Sequence, residues 1–228
     1  MSKAQTKNAR KKQRAQDKTP EPATQRGGRL IALDGTSGPS LMAEGVRLAR
    51  LCCEDSPACS MWDASNTFHE LGMAKSKTLT PTPRTLILLY ASDLLFRLRW
   101  EIEPTLQEGH NVVAAPYVQT AIAFGVAAGL PKDWLEELFS FAPKAVASFR
   151  LKEKKKVKKK EKNKDKSNGK KRADAEETGY VEFCCKNLSK ISPSWDSADV
   201  RAAMIAYLKE QDDLNKFGKK VPKALRLA

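Results

Sequence analysis

The segment Asp34-Gly35-Thr36-Ser37-Gly38-Pro39-Ser40-Leu41-Met42 comes nearest to a recognisable chemistry. A loop of the pattern Gly-x-x-x-x-Gly-Lys-Ser/Thr wraps phosphate with backbone N–H groups. It also brings a lysine to the β/γ oxygens and a hydroxyl to magnesium. Here Gly35 and Gly38 provide the turn, and Asp34, Thr36, Ser37 and Ser40 provide polar atoms. Leu41 stands where the lysine belongs and Met42 where the hydroxyl belongs. Pro39 removes one backbone donor. Between Arg29 and Lys75 the only basic residues are Arg47 and Arg50, a turn or more into the next element. Two readings follow: a backbone cradle for phosphate at a helix N-terminus, or a tight strand-to-helix turn.

Other reactive side chains form no constellation. His69 and His110 have no second ligand at useful spacing. The five cysteines fall as Cys52-Cys53, Cys59 and Cys184-Cys185, without the CxxC spacing of a zinc site. An odd count and the lack of an apolar leader in the first thirty residues fit reduced thiols and a cytoplasmic location. No metal site is expected, and no apolar stretch is long enough to span a membrane.

The net charge of +14 suggests a nucleic-acid binder until it is located. Residues 1–29 carry +7 and residues 152–172 carry +10, so the rest of the chain carries −3. The basicity lies in two segments outside the apolar body. Nonspecific, salt-sensitive nucleic-acid contact through them is one reading, and solvated tails are the other. Residues 1–28 hold too few large apolar side chains to offset their ordering entropy and are expected to be a disordered basic tail.

The elements that must position the loop follow from hydrophobic spacing. Residues 29–35 form a short apolar run ending in Gly35, as a buried parallel strand does. Residues 40–51 then have helical spacing, and 59–63 suit a second strand. After the Thr80-Pro81-Thr82-Pro83 breaker, 85–103 read as a long helix that Pro104 should kink. Residues 111–115 make a third strand and 117–128 a helix. Pro131 suits the first turn of a helix ending near Phe141, and 145–151 make a fourth strand. Residues 180–191 are ambiguous, and Asp196 or Ser197 can cap a final helix. Strands alternating with helices predict a three-layer α/β domain with about five parallel strands and helices on both faces.

Leu89-Tyr90-Ala91-Ser92-Asp93-Leu94-Leu95-Phe96-Arg97, running to Pro104, Leu106 and Gly109, resembles the thymidylate kinase helix with an Ala-Asp-Arg signature. Val112 to Phe124 is similar to that family's strand and Asp-Arg-Tyr segment. Gly129 to Leu138, with Ala142-Pro143, continues the likeness. The resemblance covers residues 29–151 well and 173–228 loosely, with 152–172 as a lysine-rich insert in the lid region. It implies a P-loop NTPase-type fold, and it makes Asp93, Arg97, Tyr117, Thr120 and Phe124 candidates for a nucleotide pocket. The same resemblance implies a homodimer.

The charged positions of the family pattern are not retained. Its Asp-Arg after the third strand is Ala115-Pro116 here, the signature arginine is Leu94, and the glutamine that faces the base is Gly125. The Glu-Pro-Gly-Gly stretch has no counterpart in residues 63–67. Each cooperating cation of this kind is worth orders of magnitude in rate. The expectation is therefore a catalytically impaired, thymidylate-kinase-like binding, regulatory or scaffolding module with at most weak nucleotide affinity. The alternative is an active dTMP kinase using ATP and magnesium, with Arg47, Arg97 or a lysine from 152–172 as the displaced cation. Asp93 and Arg97, four apart on a helix, are expected to pair with each other.

Overall fold

The computed structural model describes residues 27–52, 57–73, 80–151, 179–189 and 196–214. At its centre, strand β1 (Leu30–Asp34) is buried along its whole length. Its sequence, Leu-Ile-Ala-Leu-Asp, offers no polar face, so only a strand covered on both sides suits it. β1 lies between β3 (Val112–Ala115) and β4 (Ala147–Arg150), and β2 (Ala58–Met61) completes the order β2-β3-β1-β4. All three pairings are parallel. Four strands stand where about five were expected, among the described residues. The ambiguous segment is helical over Tyr180–Leu188: Tyr180, Val181, Cys184, Cys185 and Leu188 recur at helical intervals, and all are buried.

The pleat divides the core in two. Ile31, Leu33, Val113 and Ala115 face α1 (Gly38–Cys52), whose Leu41, Leu48, Ala49 and Cys52 cover them. Leu30, Ala32, Val112 and Ala114 face the larger cluster. That cluster is closed by α3 (Pro83–Arg97), α5 (Val118–Ala127), α6 (Lys132–Leu138), α7 (Tyr180–Leu188) and α8 (Ser197–Leu214). Helices thus cover both faces of a parallel sheet, as the strand and helix spacing predicts.

Helix α3 starts where the sequence gives a cap: Thr82 Oγ1 accepts Thr85 N–H at 3.2 Å, with Pro83 in the first turn. It continues through a π-helical turn, Leu98–Ile102, into α4 (Glu103–Gln107). Pro104 has no N–H to give the preceding turn, and the wider turn absorbs the mismatch without ending the helix. Pro131 sits one residue before α6 as its cap, outside the first turn where it was expected, and α6 stops at Leu138, short of Phe141. A short helix that periodicity missed, α2 (Thr67–Met73), is nucleated by Asp63, whose carboxylate accepts Phe68 and His69 N–H at 2.7 and 2.8 Å. Asp196 Oδ1 likewise accepts Ala198 N–H at the start of α8. No helix among the described residues is long and apolar enough to cross a membrane.

Candidate functional site

The loop between β1 and α1 is built from the strand end outward. Asp34, 3% exposed, is turned into the protein. Its Oδ1 accepts Tyr117 N–H at 3.0 Å, Thr120 N–H at 2.8 Å and the Thr120 hydroxyl at 2.7 Å. It therefore caps α5 from a neighbouring strand. Burial raises its carboxyl above the ordinary value, while the Thr120 and Tyr117 bonds and the nearby Arg150 pull the other way. Gly35 N–H donates to Thr120 Oγ1 at 3.1 Å, so the first loop donor is spent inside the protein.

Three further donors around the loop are engaged within the protein. Leu41 N–H donates to Ser37 O at 2.9 Å, closing the first turn of α1. Ser37 Oγ donates to Ser40 Oγ at 3.1 Å, and Thr36 is buried. Gly38 N–H points at the Glu182 carboxylate of α7, with both oxygens 3.2 Å away. Arg201 of α8 donates to Glu182 Oε1 at 3.1 Å. Two glycines permit this approach: a Cβ on Gly38 would lie 2.1 Å from Gly179 Cα, and one on Gly179 would lie 2.2 Å from Gly38 Cα. Neither Glu182 nor Arg201 was singled out from the sequence. They lie 144 and 163 residues from Gly38, and no local pattern links them.

At the position where the phosphate-loop pattern has lysine, Leu41 is 2% exposed and packs with Ile31, Leu33 and Leu48. Met42 is partly exposed. It lines a small cavity with Met61, Trp62, Ala115, Pro116 and Tyr180. That cavity has a volume of about 10 Å³, room for roughly one water molecule. The two displaced cations considered from the sequence that fall within the described residues are engaged elsewhere: Arg47 pairs with Glu44 in the same helix, and Arg97 is buried. Residues 152–172, the other proposed source, lie outside the described residues, as does the basic tail apart from Gly27 and Gly28.

The pocket candidates divide into two groups. Tyr117 and Thr120 come together with Asp34 and Gly35 as described, and the Tyr117 hydroxyl donates to Pro143 O at 2.7 Å. Asp93 and Arg97 do not pair with each other, contrary to expectation. Asp93 accepts the Asp63 and Ser65 N–H groups, each at 2.9 Å. Arg97 donates to Ser60 Oγ, Ser60 O and Pro116 O at 2.9, 2.8 and 2.9 Å. Unsatisfied backbone groups at the ends of β2 and β3 compete for these charges and are nearer than the i,i+4 partner. Phe124 is fully buried, with its ring 5.6 Å from Tyr180. At Gly125, where the resemblance implies a base-facing glutamine, an added Cβ would stand 2.6 Å from Leu135, which makes this position a helix contact between α5 and α6.

Among the described residues no cluster of three His, Cys, Asp or Glu could hold a metal ion. Cys59, Cys184 and Cys185 are free thiols. Burial pushes Cys59 up to about 11, so it is a poor nucleophile near neutral pH.

No protein-family model matches the chain. It is 29% identical over 126 residues to a probable thymidylate kinase 2 of Saccharolobus solfataricus, covering 55% of this chain and 59% of that protein. It is 37% identical over 65 residues to a probable thymidylate kinase of Pyrobaculum calidifontis, covering 28% of this chain and 34% of that protein. The match thus spans less than two thirds of either relative. Among solved structures, the thymidylate kinase of Candida albicans aligns with a TM-score of 0.45 at 17% identity, covering 83% of this chain and 93% of that one.

Proposed function

We propose, from the similarity to probable thymidylate kinases, that the chain is a member of that family without phosphoryl-transfer activity, serving as a binding and scaffolding module. The observation that carries this reading is the cavity of about 10 Å³ beside the loop. A small-molecule site usually offers several hundred cubic ångströms. Here Met42, Trp62 and Tyr180 line what is left. The burial of Leu41 supports the same reading, because that position brings no charge to offset what builds up on a moving phosphoryl group.

A coupled assay with dTMP, ATP and magnesium tests it. Turnover is expected to equal that of a heat-killed sample, and robust turnover abolished by Gly38→Asp would end the reading. The module is further expected to self-associate. Leu88, Leu95, Phe96 and Trp100 form an exposed apolar row along α3 and its π-helical extension, with Trp100 67% exposed. Such a row favours burial against a second copy. Sedimentation equilibrium of the wild type and Trp100→Glu checks this: a dimer in the first and a monomer in the second are expected.

A further inference from the structure

The Glu182 contact goes beyond the loss of a lysine. A helix N-terminus presents N–H groups and a partial positive charge, and it attracts anions. α1 is 15 residues long, and its first residue, Gly38, directs its N–H to the Glu182 carboxylate. The carboxylate is brought there by backbone contact between Gly38 and Gly179, and its charge is met on the other side by Arg201. Arg201 Nε is buried and has no hydrogen-bond partner among the described residues. A carboxylate with two oxygens leaves that donor unused. A phosphate group has more acceptor oxygens, enough to serve both donors.

We propose that Glu182 is an internal anion seated where a phosphate group would lie, an autoinhibitory contact that keeps phosphate-bearing ligands off Gly38 and Arg201. This rests on the reading above that the loop does no phosphoryl transfer, and it names what holds the loop closed. Like charge is the first barrier: an incoming phosphate meets a carboxylate at 3.2 Å from the donor it needs. Coverage is the second, because α7 brings Gly179, Tyr180 and Val181 over the same cavity.

The test is isothermal titration of inorganic pyrophosphate into the wild type, Glu182→Ala, Glu182→Gln and Glu182→Ala/Arg201→Ala. Circular dichroism melts establish that each protein is folded. Pyrophosphate held by the lysine tract at 152–172 is common to all four proteins and cancels in the comparison. Glu182→Ala is expected to bind at least tenfold more tightly than the wild type, and the double variant to lose that gain. If Glu182→Ala does not fold, Glu182→Gln decides: it keeps the contact to Gly38 N–H but removes the repulsion, and it too should gain affinity. A folded variant with wild-type affinity, or a gain that persists without Arg201, overturns the proposal. dTMP turnover by the wild type would sink the functional reading instead, whereas absence of turnover with no gain in Glu182→Ala sinks only this inference.

Discussion

The Thr120 hydroxyl lies 2.7 Å from Asp34 Oδ1 and 3.1 Å from Gly35 N, so a single oxygen joins the end of β1 to the first turn of α5. It donates to the carboxylate and accepts from the amide. Thr120→Val keeps the shape but leaves the Gly35 N–H without its acceptor and Asp34 with one bond fewer. A buried donor left in this way costs about 1–3 kcal/mol. The urea midpoint should fall with no change in slope, and an unchanged midpoint would remove Thr120 from the supports of the loop.

Asp34 also gives the fold a pH dependence of known sign. Burial raises its carboxyl above the ordinary 3.8, so the folded state binds this proton more readily than the unfolded state does. Its contribution is therefore fully present below 3.8 and is lost as pH rises through the folded value. Asp34→Asn has no such proton. The unfolding free energy of the wild type minus that of Asp34→Asn should decline from pH 3.5 upward, as measured by urea titration. A difference that grows with pH would mean that the bonds from Thr120 and Tyr117 outweigh burial.

Arg97 has no exposed surface, and three of its N–H groups bind Ser60 and Pro116. A lysine offers one compact ammonium in place of the planar fork and cannot reach all three acceptors. Arg97→Lys should destabilise by about 2–4 kcal/mol, because hydrogen bonds to a charged group are each worth about 1.5–3 kcal/mol. The exposed neighbour Arg99, changed to Lys, should stay within about 0.5 kcal/mol of the wild type. Chemical denaturation of the two variants side by side separates them.

These residues also mark how far the sequence could be read. β1, β3 and α1 were legible because an uninterrupted apolar run or a helical repeat is a local signal, and burial follows it directly. Asp93 and Arg97 were placed correctly on a helix but given the wrong partners. Their acceptors and donors lie 19 to 37 residues away on strand ends and turns. Spacing along a helix says nothing about such groups. α2 escaped because seven residues give no periodicity, and its start depends on one carboxylate. Glu182 escaped for a stronger reason: only the folded chain brings α7 onto Gly38.

Gly38→Ala should be poorly tolerated although alanine favours helices. The new Cβ would sit 2.1 Å from Gly179 Cα, a backbone atom that cannot rotate away, and 3.1 Å from Glu182 Oε2. Either α7 shifts or α1 starts later, and overpacking of this kind costs about 1–3 kcal/mol or more. A thermal melt should show the loss. Amide exchange at the start of α7 should rise with it, and an unaltered melt would mean that the two backbones are not held in contact.

If the proposed function holds, a lysine placed at position 41 should bring no phosphoryl transfer. Leu41 lies under β1 against Ile31, Leu33 and Leu48, with Leu41 Cδ2 3.4 Å from where a Gly35 Cβ would stand. In Leu41→Lys an ammonium would enter that apolar cluster, where it has no partner and its pKa falls, at a cost of several kcal/mol. The variant should melt well below the wild type at neutral pH, regain part of the loss at high pH as the amine becomes neutral, and show no dTMP turnover. Turnover by a stable Leu41→Lys would mean that the side chain leaves the cluster and reaches an open phosphate position, and that a single residue had silenced the loop.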